Sequence, residues 1–417
     1  MNNVIIKQAV IIDAESKYHQ QKLDITIENG IIIAIDKEAK NTDYYEQISL
    51  ENLHVSQGWF DSSVSFGEPG LEDSETIANG LTTAAKSGFT DVALQPNTYP
   101  VIDNQAAVSF VKQKSTGFAT SLHPIGALTK NSLGEDLAEL FDMKNAGAVA
   151  FGDYNKPIEK AIIQKIALQY AQDFDGLVLA FCQEKTLKGN GVANEGIVST
   201  KLGLKGIPTI AEELDLIRNL LLLEYTGGKL HIPTISTSKS VELIREAKAK
   251  GLKVSCSVSV HHVTLNDSLL EHFDSRYKVA PPLQTEENRV ALIKGILDDT
   301  IDIITSDHNP VDIEHKKLEF DLAKNGTIGL ETAFGMLQNI LPTEVIIKKL
   351  VTGKTIFGIQ NYKIEIGQPA CLSLFNPNCS WVFTNENILS KSKNTAFLGQ
   401  TLKGKVYGIY NNNKLVL

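Results

Sequence analysis

At 417 residues, with 42% hydrophobic and 21% charged positions and no biased tract, the chain has the make-up of a folded globular protein able to bury a large core. A formal net charge of −9, unrelieved by any Lys/Arg cluster, excludes the electrostatic footprint that phosphate backbones and anionic lipids require; neither nucleic acid nor membrane is an expected partner. Uninterrupted apolar runs such as Leu220 to Leu223 fall far below the roughly 18 residues of a membrane span.

The N-terminus alternates in the manner of a strand, with Lys7 and Gln8 breaking its apolar run, and does not read as a signal peptide. Residues 1–55 carry four short β-branched runs, from Val4-Ile-Ile6 to Ile31-Ile-Ile-Ala-Ile35, with a Glu28-Asn-Gly30 turn before the last. From 56 to 355 the pattern becomes strand, loop, helix, repeated. Strand cores are predicted at 59–65, 90–95, 120–127, 148–151, 176–181, 229–235, 252–258 and 301–305. Two helices are well signalled: one within Asp73 to Ser87, with a polar Ser74-Glu75-Thr76 start, and one over Ser238 to Lys250, ended by Gly251. Eight strands alternating with helices predict an α/β chain closed as a (β/α)8 barrel of the TIM type. After 356 short strands return at Lys363–Ile366, Ala370–Phe375, Gly404–Tyr410 and Lys414–Leu417, so 1–55 and 356–417 are expected to form one small discontinuous β-sandwich domain. Cys182, Cys256, Cys371 and Cys379 form no CxxC pair and predict reduced thiols and a cytoplasmic protein.

In such a barrel chemistry is built at the C-terminal ends of the strands. The first strand ends in Asp61-Ser-Ser63-Val-Ser65-Phe-Gly67, with Ser63 and Ser65 on one face because strand side chains alternate. That is metal-ligand spacing without a metal ligand. The other ends offer Asn97, Asp153, Phe181 with Cys182, Thr234, His261-His262, and Asp307-His308, none in a cluster with ligand spacing. His261, His262 and His308 read as structural loop histidines. Ser63 lacks the Gly-x-Ser-x-Gly elbow of a nucleophile.

The segments Glu68-Pro-Gly70, Pro96-Asn-Thr98, Asn194-Glu-Gly196, Ala280-Pro-Pro-Leu283, Gly329-Leu-Glu-Thr332 and Ser390-Lys-Ser-Lys-Asn-Thr395, in this order over nearly the whole chain, resemble the dihydroorotase family of the amidohydrolase superfamily, in its long bacterial branch. The resemblance implies a zinc-dependent hydrolase of a cyclic amide in pyrimidine biosynthesis. It also implies an Asp-x-His-x-His-x-Arg on the first strand; here the two histidines and the arginine fall on Ser63, Ser65 and Gly67. The family's histidines after the fifth and sixth strands fall on Phe181 and Thr234, and a substrate-contacting Asn-Pro-Pro-Leu-Arg has become Ala280-Pro-Pro-Leu-Gln284. Asp61, Asp153 and Asp307 remain.

Hydroxyls replace imidazole poorly as zinc ligands, and a phenyl ring offers no lone pair. No metal cofactor is therefore expected, and Asp307 is left as a vestigial base. An oxygen-ligand site made by Asp61, Asp153 and Asp307 is the alternative. The resemblance thus implies a catalytically degenerate member acting as a structural or regulatory partner, of aspartate transcarbamoylase or of a second copy of itself. The alternative is a hydrolase of dihydroorotate or another cyclic amide, metal-free or with a carboxylate-bound metal. A pocket still binding a small pyrimidine precursor is a third expectation.

Overall fold

The computed structural model describes residues 3–39 and 44–417; Met1, Asn2 and positions 40–43, included above in the first β unit, lie outside the described residues. Among the described residues eighteen strands fall into two large sheets and one short ladder. The chain ends build the first sheet. From the N-terminal side come β1 (Val4–Ile12), β2 (Lys22–Glu28), β3 (Ile31–Asp36), β4 (Glu46–Ile48) and β5 (His54–Gln57). The barrel follows as β6 (Trp59–Val64), β7 (Phe89–Leu94), β8 (Ser121–Gly126), β9 (Ala150–Phe151) and β10 (Leu177–Leu179). The ladder is β11 (Ala193–Asn194) with β12 (Gly206–Ile207), after which the barrel resumes with β13 (Lys229–Ile232), β14 (Val254–Ser259) and β15 (Ile303–Thr305). The chain ends with β16 (Leu372–Val382), β17 (Thr401–Asn411) and β18 (Lys414–Val416), which join the first sheet.

The eight barrel strands run parallel in sequential order from β6 to β15, skipping the ladder. Every residue of β6 and β7 is buried, as expected of strands covered on both faces. The seam between first and last strands is closed just beyond their ends, where Val64 bridges His308 and the Ser65 amide donates to the His308 carbonyl at 2.8 Å. The helix predicted within Asp73 to Ser87 spans Ile77–Lys86 and is capped by Thr76, its hydroxyl accepting from the Asn79 amide. The helix Ser238–Ala249 is capped likewise by Thr237. Both are amphipathic surface elements ended near glycines of positive φ, Gly88 and Gly251.

The first sheet has the order β18-β17-β16-β5-β1-β2-β3, with β4 beside β1, so the two chain ends meet where β5 pairs antiparallel with β16 and parallel with β1. Three polar links fix it to the barrel floor: Ser373 Oγ donates to the Gly88 carbonyl at 2.6 Å, and Asn411 Nδ2 donates to the carbonyls of Thr90 and Ala119. Beneath them Lys354, fully buried, pairs with Asp91 at 2.8 Å. Burial pushes the Asp91 carboxyl up, but Lys354 and His123 outweigh it and hold the group below the usual carboxylate range.

One expectation is corrected. Lys363–Ile366 is not a strand, because Ile364 exchanges its backbone hydrogen bonds with side chains: its amide donates to Asp13 Oδ2 and its carbonyl accepts from Ser16 Oγ. The Ser390–Thr395 segment lies against the barrel. Its Lys391 amide donates to Glu75, Ser392 Oγ donates to the Ser74 carbonyl, and the Val311 amide donates to Asn394 Oδ1. The four cysteines are free thiols.

Candidate functional site

The strand ends converge on a cavity lined by Ser63, Gln95, Tyr154, Phe181, Thr234 and Asp307, with Ala280 at its wall. Its volume is about 10 Å³, room for roughly one water molecule. Three of these residues, Tyr154, Thr234 and Asp307, hold left-handed backbone at φ of 56°, 49° and 47°. For a β-branched residue such as Thr234 that is a strained conformation, and strain of this kind collects at functional centres.

Ser63, Ser65, Asp61, Asp153, Asp307 and His308 each have a hydrogen-bond partner. Ser63 Oγ donates to Asp307 Oδ1 at 2.9 Å and accepts from Gln95 Nε2 at 3.2 Å. Burial drives the Asp307 carboxyl up to about 7; the Ser63 hydrogen bond opposes the shift and the nearby Asp61 charge adds to it. Ser65 Oγ donates to Asn97 Oδ1 at 3.1 Å. Asp61 is fully buried away from the cavity and accepts from the amides of Ser63 and Ser306, both at 3.0 Å, and from Thr305 Oγ1. Asp153 accepts from the Thr129 amide at 3.0 Å and from its hydroxyl. His308 Nδ1 accepts from the Gly329 amide, and burial lowers this imidazole to about 4.

Asp61 and Asp307 both meet Ser63, the one at its amide and the other at its hydroxyl, whereas Asp153 is held by Thr129. Among the described residues no three or more His, Cys, Asp and Glu side chains are placed to hold a metal ion. The donor set fits zinc poorly on its chemistry: hydroxyls at Ser63 and Thr234, a hydroxyl at Ser65 already bonded to Asn97, and the phenyl ring of Phe181 in the cavity wall. Gly67 adds a steric reason. A Cβ there would lie 1.9 Å from the Leu71 carbonyl oxygen, because the loop has closed with the Leu71 amide donating to the Gly67 carbonyl at 2.6 Å. No side chain can project from position 67 without moving that turn.

His261 and His262 sit on a short helix, Val260–Thr264, rather than in a loop. His262 bridges Ser259 Oγ and the Pro281 carbonyl, and its neighbour packs beside it with ring centroids 4.6 Å apart. The sequence does not single out Gln95 and Tyr154 as site residues. Gln95 ends a predicted strand and Tyr154 follows Asp153, but no spacing rule distinguishes a side chain that fills a cavity from one that leaves it. What remains is one carboxyl raised to about 7 beside a serine, in a narrow space of about 10 Å³, far below the 300 Å³ or so at which ligand pockets begin.

The fold is that of L-hydantoinase from Arthrobacter aurescens, with a TM-score of 0.85 over 100% of this chain and 98% of that one at 21% identity. A D-hydantoinase from a Thermus species gives 0.81 at 19% identity. Residues 54–240 match the family model described as dihydro-orotase-like. The chain is 40% identical over 421 aligned residues to the dihydroorotase of Pelotomaculum thermopropionicum, covering 99% of this chain and 98% of that protein. It is 41% identical to that of Caldanaerobacter subterraneus, covering 97% and 94%. Among the described residues no helix is long and apolar enough to cross a membrane. With fold, length and sequence in agreement, the chain belongs to the dihydroorotase family.

Proposed function

We propose that this member of the dihydroorotase family has lost metal-assisted hydrolysis at the barrel mouth and acts as a structural or regulatory partner of another protein, with aspartate transcarbamoylase the partner its resemblance implies. The observation that carries the reading is the filled mouth. Ser63, Phe181 and Thr234 stand where the family resemblance implies zinc ligands, and the space between them is about 10 Å³. Without a bound metal, water keeps a pKa near that of bulk, and Asp307 alone would supply only the roughly 10²–10⁴-fold of a general base. The test pairs metal analysis of purified protein with a dihydroorotate hydrolysis assay. Stoichiometric zinc, or turnover comparable to ordinary enzymes, overturns the proposal. Recovery of the native chain free of any partner from its own cell extract overturns the scaffolding role.

A second reading rests on the relatives, proteins named dihydroorotase at 40% and 41% identity over nearly the whole chain. In that reading the mouth opens to admit a cyclic amide such as dihydroorotate; Asp307 takes a proton from the water whose oxygen bonds to the amide carbonyl carbon, the ring C–N bond breaks, and Asp307 returns that proton to the departing nitrogen. Asp307→Asn separates the two. It abolishes measurable turnover under the second reading and changes nothing in the assay under the first. Stabilisation by a pyrimidine precursor in a thermal-shift assay would further favour the second reading.

A further inference from the structure

A cleft apart from the barrel mouth collects charge of the sign the chain as a whole lacks. It lies between segments 274–276, 311–317 and 391–394, has a volume of about 580 Å³, and brings together Arg276, Lys316, Lys317, Lys391 and Lys393. The linear chain shows no such cluster, because its members come from three distant places. Three acids share the lining, Asp73, Asp274 and Asp312. Five cations against three acids leave a net charge of +2 in a chain that carries −9.

Most of these cations are held in place without being neutralised. Among the described residues only Arg276 and Lys391 are paired with a carboxylate, Asp274 at 2.5 Å and Asp73 at 3.9 Å. Lys316 Nζ donates instead to the carbonyls of Lys278 and Lys324, at 2.9 and 3.0 Å, and Lys393 Nζ to those of Ile388 and Ser390, both at 2.9 Å. A carbonyl fixes an ammonium group but cancels none of its charge. Burial, with the Lys278 ammonium adding to it, lowers Lys316 to about 7; an anion in the cleft would stabilise its charged form. The acids are engaged within their own segments: Asp274 holds the Arg276 fork, and Asp312 accepts from the His315 amide and ring. Val311 and Ile313 supply an apolar stretch of wall, and Ile313 is 71% exposed.

We infer that this cleft binds a nucleoside di- or triphosphate, its phosphates on the ammonium groups and its ring against Ile313 and Val311. The volume of about 580 Å³ falls inside the roughly 300–1,000 Å³ of small-molecule sites. A nucleic acid would need a positive track along many phosphates, which a chain of −9 with one local cluster does not offer. A bare inorganic anion would use the charge and leave the apolar wall open to water. The walls are also fixed in advance: Asn394 accepts from the Val311 amide and donates to the Gly326 carbonyl at 3.2 Å, tying two of the three segments together, so little ordering opposes binding. The inference stands whichever reading of the barrel mouth is right, because the two spaces share no residue.

The experiment is titration calorimetry of the full chain with ATP and with inorganic tripolyphosphate, without magnesium. ATP should fill a single site per chain with a Kd of about 10–100 μM, and tripolyphosphate should compete for it about 3–10-fold more weakly, having no ring to bury. Lys317→Glu combined with Lys391→Glu, both exposed, should weaken both probes at least about 10-fold. Lys294→Glu combined with Lys403→Glu, exposed and away from the cleft, changes the net charge equally and should move the Kd by less than about 2-fold. Ile313→Ser should bring ATP to the affinity of tripolyphosphate and leave tripolyphosphate unchanged. Absence of saturable binding of either probe up to about 5 mM overturns the inference, as does equal weakening by the two charge-reversed pairs. Tripolyphosphate binding as tightly as ATP, or ATP binding that Ile313→Ser leaves intact, overturns the nucleoside assignment in favour of a free-phosphate site.

Discussion

Removing Asp61 tests whether the strand-end aspartate on the first barrel strand is a structural clasp or a functional remnant. The carboxylate is fully buried and receives the Ser63 and Ser306 amides at 3.0 Å together with the Thr305 hydroxyl, tying β6 to the end of β15 at the seam of the barrel. Asp61→Ala leaves those three donors buried without an acceptor, at about 1–3 kcal/mol each. Allowing for partial relaxation, the loss is about 3–6 kcal/mol. This is a large share of the 5–15 kcal/mol by which native domains are stable. Asp61→Asn keeps one acceptor oxygen but turns an NH₂ toward a donor, and should cost about 1–3 kcal/mol. Guanidinium unfolding followed by tryptophan fluorescence reports on the site directly, because Trp59 is buried two residues away. If Asp61→Ala leaves the midpoint unchanged or raises it, the clasp argument fails, and Asp61 is instead a residue kept at a cost to stability for chemistry.

Phe181→Ala should destabilise by about 3–5 kcal/mol, since its ring fills the wall of the mouth; a loss under 1 kcal/mol would mean the mouth is not packed. Gly67→Ala should cost about 1–3 kcal/mol by displacing the turn to Leu71, and a neutral result in the same unfolding assay would contradict the closed loop. Burial lowers His262 to about 4, against the opposing pull of the Pro281 and Pro282 carbonyls. The unfolded chain therefore takes up a proton near pH 6.5 that the folded chain refuses until about 4, and stability falls as pH drops through that window, by about 1.4 kcal/mol per unit for this one group. His262→Gln should flatten the slope by that amount; an unchanged slope between pH 6.5 and 4 refutes the assignment.

The barrel was readable from the chain because parallel strands buried on both faces leave runs of Val, Ile and Ala bounded by polar turns, and all eight predicted strands overlap observed ones. Helix starts were less so: Ser74 and Thr76 are both good caps by type, and the choice between them depends on Glu68, whose carboxylate accepts from the Ile77 amide. The ligand positions were legible as residue types, but their present partners were not. That Ser63 would face Asp307, 244 residues away, or that Asp153 would turn to Thr129, is decided by how the strand ends close on one another. Lys363–Ile366 shows the reverse failure, a β-branched run whose backbone is claimed by Asp13 and Ser16 before any ladder can form.

The pairing of β5 with β16 also sets an order of events during synthesis. The Trp59 amide donates to Ser373 Oγ across 314 residues of sequence, so at ribosomal speeds of about 5–20 residues per second the N-terminal strands wait on the order of 20–60 s for their partner. Through that interval β5 has a neighbour on one side, β1, and an open edge on the other. The newborn chain must be guarded longest at this edge, and a ribosome stalled before codon 372 would release a barrel with an unsealed floor.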